Sequence, residues 1–144
     1  QCEGRDLWQS KALLPTLLVQ AVTAGGSVWL ISDLFVGMPE PLMVRWISIA
    51  ALAATGLLVL LEVRGHHSPH VAMAVRSMTN GEHRKLFMTG VLGGLILPIA
   101  LLAASLVFDS AATALSFVAG VTALGGMWSY EHSYVLAGQS VPLS

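Results

Sequence analysis

LFMTGVLGGLILPIALLAASLVF, residues 86–108, carries no charged side chain over 23 positions and offers apolar or small residues on every face. A helix crossing about 30 Å of hydrocarbon needs about 20 such residues. A transmembrane barrel strand instead alternates apolar with polar side chains over about ten positions. The stretch therefore predicts a membrane-spanning helix. Working outward, the same reading finds three more, giving spans at about 12–35, 41–63, 86–108 and 110–132. The second has its apolar centre at Trp46 to Leu61 and reaches full length only if Pro41 to Val44 extend it, with Arg45 able to snorkel to the interface. The expected fold is an all-α membrane protein, one bundle of four transmembrane helices.

Composition agrees with this. Of 144 residues, 55% are hydrophobic and 10% charged, against about 25% charged in an ordinary soluble domain. Seven Lys and Arg with eight Asp and Glu leave a net charge of −1. That is no basic field for nucleic-acid phosphates, so nucleic-acid binding is excluded as a function class. A single cysteine, Cys2, provides neither an internal disulfide nor a thiolate set for an iron–sulfur cluster, so such chemistry belongs to another subunit. The chain opens on Gln1, and Glu3, Arg5 and Asp6 precede the first apolar run where a signal peptide would have a basic segment. A trimmed or partial chain is expected.

Lys and Arg gather in short cytoplasmic loops. One side carries Arg5, Lys11, Arg64, Arg76, Arg84 and Lys85, the other Arg45 alone. This places both termini and the loop from Glu62 to Lys85 in the cytoplasm. Within that loop Ser68 and Pro69 read as cap and first residue of a helix, with Val71, Ala74, Val75 and Met78 at helical spacing and Thr79, Asn80 and Gly81 as its stop. A short amphipathic surface helix is expected, either a connector resting on lipid or a platform for a partner, with Arg76, Arg84 and Lys85 as candidate docking residues. Inside the membrane, helices approach through small residues. Ala21, Ala24, Gly25, Gly26 and Ser27, then Ala50, Ala53 and Ala54, the Gly90–Gly94 pair, and Gly120, Gly125 and Gly126 supply them. Pro98 sits mid-span, where it removes a backbone hydrogen bond and should kink the helix.

The chemistry-bearing residues lie near helix ends. Haem ligation by paired histidines is not supported, because His66, His67, His70 and His83 share one loop and His132 closes the last span, so no pair faces another across the bilayer. His66, His67 and His70 are weak metal candidates without an evident fourth ligand; a solvated or pH-responsive loop is the plainer reading. Asp33, Glu62, Asp109 and Glu131 lie where a carboxylate can reach water. Glu62, Glu131 and His132 are candidates for relaying protons, although ordinary interfacial residues look the same. Gln20, Thr23, Ser48, Thr55, Ser105, Ser116 and Thr122 are the mild polar groups within the spans, more often helix joiners than ligands. No catalytic triad, P-loop or dinucleotide fingerprint occurs, and no complete active site is evident in this chain.

Several strings nevertheless resemble the NrfD/PsrC family of polysulfide-reductase-type integral membrane subunits. They are Gly4-Arg5-Asp6-Leu7-Trp8 running into Leu14-Pro15-Thr16-Leu17-Leu18 and Ala24-Gly25-Gly26; Leu61-Glu62 followed by Met78-Thr79-Asn80-Gly81, Leu86-Phe87 and Gly90, Gly93, Gly94 and Pro98; and Tyr134-Val135-Leu136-Ala137-Gly138-Gln139 with Pro142-Leu143. In their order and spacing they cover most of the chain. Family members pair two four-helix bundles, so the resemblance implies the C-terminal bundle of such a subunit with the N-terminal bundle missing. Where many members place an Arg before the closing segment, this chain has Glu131-His132-Ser133. The resemblance implies a multi-pass subunit of a bacterial inner membrane complex. It would support electron transfer between membrane quinone (menaquinone or ubiquinone) and a ferredoxin-like iron–sulfur partner, with a molybdopterin subunit, hydrogenase or multihaem cytochrome beyond it. The family's quinone-binding side chains belong to the absent bundle, so none is carried over. A small four-helix transporter or channel subunit and a purely structural anchor are the alternative readings.

Overall fold

A computed structural model describes residues 13–65 and 69–140. Among the described residues every regular element is helical: α1 (Leu13–Val36), α2 (Pro41–Arg64), α3 (Pro69–Asn80), α4 (Arg84–Met88), a π-helical segment (Thr89–Ile96), α5 (Leu97–Ser105), a 3-10 turn (Asp109–Ala111) and α6 (Ala112–Gln139). α4, the π segment and α5 form one continuous rod. Four helical rods, Leu13–Val36, Pro41–Arg64, Arg84–Ser105 and Asp109–Gln139, are long and apolar enough to cross a membrane. The chain is an all-α multi-pass membrane protein by that measure. Its second span does begin at Pro41, and its fourth continues seven residues past the expected end at 132, to Gln139.

The four rods stand in a square: α1 touches α2 and α6, and the third span touches α2 and α6. α2 and α6 therefore face one another across the diagonal, where only long side chains meet. The outside is apolar, with Leu14, Phe35, Trp46, Leu57, Leu92, Phe108 and Trp128 all exposed, as lipid contact requires. The inside is lined largely by small and hydroxyl residues. Ser27, Ser105 and Ser133 are buried and satisfy their hydroxyls by donating to carbonyls of the preceding turn, Thr23 O, Leu102 O and Tyr130 O, each at 2.7 Å. A hydroxyl spent in this way costs no partner on another helix, so it behaves as a small spacer.

Close approach is concentrated on the third span and α6. A Cβ on Gly94 or on Gly126 would overlap the other glycine's Cα, and one on Gly90 would lie 2.9 Å from Tyr130 Cβ. Gly120 lies against Ser27 O and Gly26 against Ser48 Oγ in the same manner. By contrast Gly25, Gly93 and Gly125 face open space, and Ala21, Ala50 and Ala53 are exposed. Only part of the small-residue wealth is used for contact inside this bundle.

The π segment explains how Pro98 is accommodated. Pro98 has no N–H for a carbonyl four residues back, and in an α-helix its ring would press on that carbonyl. The backbone before it is wound wider, with Leu97 N–H reaching Leu92 O. The break anticipated at Pro98 takes the form of a wide turn ahead of it.

Two further departures from the sequence reading concern the ends. Arg45 does not snorkel: it is 8% exposed and points across the diagonal, where Nε donates to Ser116 Oγ at 3.0 Å. Four residues inside the start of α2 and facing the bundle interior, it finds α6 before it finds the interface. α3 is more than a rest on lipid, since Ala74 and Met78 are buried with Val59, Phe87, Tyr130, Tyr134 and Ala137 in one cluster. Met73 and Arg76 stay outside. The cap at Ser68 lies outside the described residues.

α1 ends on Gly37, whose φ of 62° lies in the left-handed region, with Met38 N–H held by Asp33 Oδ1 at 2.9 Å. Gly37→Ala should destabilise the bundle by about 1 kcal/mol, because an L side chain pays for that backbone state. The midpoint of unfolding in mixed micelles reads the change, and an unmoved midpoint rejects the capping role.

Candidate functional site: a carboxylate and tyrosine cluster at one end of the bundle

Near the end of α2 that carries Arg64, three spans bring polar side chains together. Tyr130 and Tyr134, four residues apart on α6, point along one face of that helix. Both hydroxyls donate across the diagonal to Glu62: Tyr134 Oη to Oε1 at 3.1 Å and Tyr130 Oη to Oε2 at 3.3 Å. The same end holds a second pair, in which Gln20 Nε2 of α1 donates to Glu131 Oε1 at 2.6 Å. Each carboxylate thus has a donor from a different rod, and α6 contributes to both pairs. Glu131 is offset from Tyr130 by one residue, about 100° around the helix, so the two pairs lie on neighbouring faces of α6.

Three hollows meet here. A chamber of about 10 Å³ lies among Leu13, Thr16, Glu62, Tyr134, Gln20 and Glu131. An interior cavity of about 30 Å³ runs deeper, past Thr23, Thr55, Gly90 and Gly94, and shares Gln20 and Tyr130 with the chamber. The third is an open groove of about 420 Å³ on the outer surface between α1 and α6, bordered by Ala21, Ala24, Leu124, Trp128 and again Gln20 and Glu131. The Gln20–Glu131 pair therefore stands between the groove and the chamber.

This arrangement collects some of the expected candidates and separates others. Glu62 and Glu131 share the cluster. His132, adjacent in sequence, is exposed and stacks on Trp128 with ring centroids 5.3 Å apart and planes 4° apart, on the lipid side. Arg76, Arg84 and Lys85 are exposed around α3 and the start of α4. Of the histidine candidates His66 and His67 lie outside the described residues, and His70 sits in α3 with Nδ1 buried and no hydrogen-bond partner among the described residues. Among those residues no group of three potential ligands converges on a metal position.

Gln20, Tyr130 and Tyr134 are the members that sequence reasoning passed over as a functional group. The available signal was the i, i+4 spacing of the two tyrosines on the helix that also carries Glu131. It becomes informative only once α2 is known to end opposite them. At the other end of the bundle Arg45 and Ser116 form a separate polar pair, about 22 Å from Glu131 along α6. Comparison of the chain with protein-family models, curated proteins and solved structures gives no match.

Proposed function

We propose that this chain is an integral subunit of a quinone-linked oxidoreductase of the NrfD/PsrC type in a bacterial cell membrane, and that the Glu62–Tyr130–Tyr134 and Gln20–Glu131 cluster handles its protons. The observation that carries the reading is the convergence of two carboxylates, two phenols and one amide from three membrane helices at one end of the bundle. Polar groups inside a span are costly and persist where they pair and serve protons, ions or substrates. Quinone reduction and quinol oxidation exchange protons with water, so a subunit serving them needs an entry for protons at the membrane edge. Among the described residues Glu62 accepts from Tyr130 and Tyr134 and Glu131 from Gln20, and the two pairs border one chamber.

The strings that resemble the family support this reading. The excess of Arg and Lys around α3 and α4 supports a cytoplasmic side for the cluster, with the exposed Arg76, Arg84 and Lys85 as the residues that would meet an acidic face of an iron–sulfur partner. The single cysteine, Cys2, cannot by itself supply the thiolate set of an iron–sulfur cluster, so in this reading the clusters belong to a partner subunit.

In the assembled complex, Glu62→Gln and Glu131→Gln are expected to lower quinone-dependent turnover by about a factor of ten or more each, while the subunits still co-purify. Turnover equal to the unaltered complex in both variants would reject the proton role. A preparation that holds no iron–sulfur protein would reject the family reading.

A further inference from the structure

We propose that Arg45, with the hydroxyls of Ser48 and Ser116, binds a small monovalent inorganic anion of the halide type at the end of the bundle away from the Glu62 cluster. The site lies apart from the residues of the quinone-linked reading and stands whether or not that reading holds. Its starting point is a charge. Arg45 is 8% exposed, and its one hydrogen bond among the described residues runs from Nε to Ser116 Oγ. Serine is neutral, so this bond leaves the guanidinium charge without compensation. An unpaired charge in a span is costly, and where it persists it marks an ion path or a binding site. The acids at this end supply no partner. Asp33 Oδ1 holds Met38 N–H, Glu40 and Asp109 are exposed, and none of the three forms an ion pair with Arg45 among the described residues.

The hydroxyls beside it also differ from the rest of the bundle. Thr23, Ser27, Ser105, Ser129 and Ser133 each donate to a carbonyl three or four residues back. Ser48 Oγ, buried one turn along α2 from Arg45, has no partner among the described residues. Ser116 Oγ accepts from Arg45, and its own hydrogen has no acceptor among those residues. Positions 45 and 48 share one face of α2, and Arg45 reaches from it to α6. Two hydroxyl hydrogens and the Nη hydrogens of the guanidinium are thus left without acceptors. A water molecule could serve the hydroxyls and would leave the charge as it is. An anion answers both.

The backbone adds to the same field. α2 and α6 both begin at this end, at Pro41 and Ala112, and neither Glu40 nor Ala111 caps its helix with a side chain. Two helix N-termini on the diagonal therefore present partial positive charge to the pair that bridges them. Arg45 stands four residues into α2, about 6 Å from its start, within reach of ions beyond the membrane edge. The walls set the size of the ligand. A Cβ on Gly26 would lie 2.6 Å from Ser48 Oγ, and one on Gly120 would lie 2.8 Å from Ser27 O, so α1 is in close contact with both α2 and α6 at this level. Such contact excludes a bulky organic anion. With Asp33 buried at the same end, a divalent anion would bring negative charge in excess.

The site is tested by thermal unfolding of the purified protein in dodecyl maltoside, in sodium chloride and in sodium gluconate at equal ionic strength. Chloride is expected to raise the midpoint over gluconate by about 3 °C or more, and Arg45→Gln to erase the difference. In gluconate Arg45→Gln should unfold at or above the midpoint of the unaltered protein, because it removes a buried charge that has no partner. Ser48→Ala should weaken chloride binding by about tenfold. Asp33→Asn should strengthen it by about threefold or more, since it lifts a competing negative charge.

Equal midpoints in the two salts for the unaltered protein would overturn the site. So would a chloride response that survives Arg45→Gln, the mark of a general salt effect. If Ser48→Ala gains stability equally in both salts, the hydroxyl was an orphan with no ligand. If Asp33→Asn loses stability in gluconate and gains no chloride response, Asp33 is the counter-ion of Arg45. Either of these results removes the anion.

Discussion

Gly126→Val is expected to open the bundle, with a loss of at least about 3 kcal/mol, the upper part of the range for overpacking. Overpacked side chains usually escape by changing rotamer. No such escape exists here, because the new Cβ would meet the Cα of Gly94, and backbone can yield only if two rods part. Separation would carry the third span away from α6 along the whole contact that runs from Gly90 and Tyr130 to Gly94 and Gly126. In lipid nothing comparable to the hydrophobic effect draws the rods back, since dispersion at close range is most of what holds them. Gly94→Val should behave alike. Gly125→Val, one residue away on the open side, should change stability by less than about 0.5 kcal/mol, in the range of surface substitutions. Unfolding in mixed micelles followed by circular dichroism distinguishes the two positions, and equal midpoints would refute the packing account.

The second large effect is expected at Glu62. Glu62→Leu should cost about 2–3 kcal/mol, because the part-buried hydroxyls of Tyr130 and Tyr134 both lose this carboxylate acceptor. Tyr134→Phe should cost less, about 1–2 kcal/mol, since Glu62 keeps Tyr130. The double variant should then be less damaging than the sum by about 1 kcal/mol or more. Additive losses in that cycle would show that the hydrogen bond carries no coupling. Loss of stability and loss of turnover should part company at Glu62→Gln, which keeps an acceptor oxygen for one tyrosine, turns an N–H to the other, whose hydroxyl can accept, and gives up the carboxyl proton.

The spans could be read from the sequence because the bilayer imposes a length and forbids stray charges, and the stretch from Leu86 to Phe108 satisfies both without help from its neighbours. α2 was legible in its centre and ambiguous at its start. The single charge at Arg45 looked like an anchor, and only packing shows that it points toward Ser116. The cluster was legible in half. Glu62 and Glu131 stand out in sequence as carboxylates at the ends of apolar runs. Gln20 and the tyrosines do not, because a neutral polar residue in a span carries no signal of which helix it will face. Neighbours in sequence also mislead: Glu131 and His132 look like one unit, yet 100° of rotation turns one toward Gln20 and the other onto Trp128.

The wide-wound stretch before Pro98 has a consequence for spacing. Gly90, Gly94, Pro98 and Leu102 are all buried and stand four apart. In a regular α-helix each such step overshoots a full turn by about 40°, so by Leu102 the row would have slid well off the neighbouring rod. Slack winding cancels the drift and keeps the four in file. The proline that would fracture a helix in water serves here as a ratchet pawl, holding the coil from tightening. Replacing it by alanine would release the pawl, and the glycines ahead of it would rotate out of line with no change in their own identity.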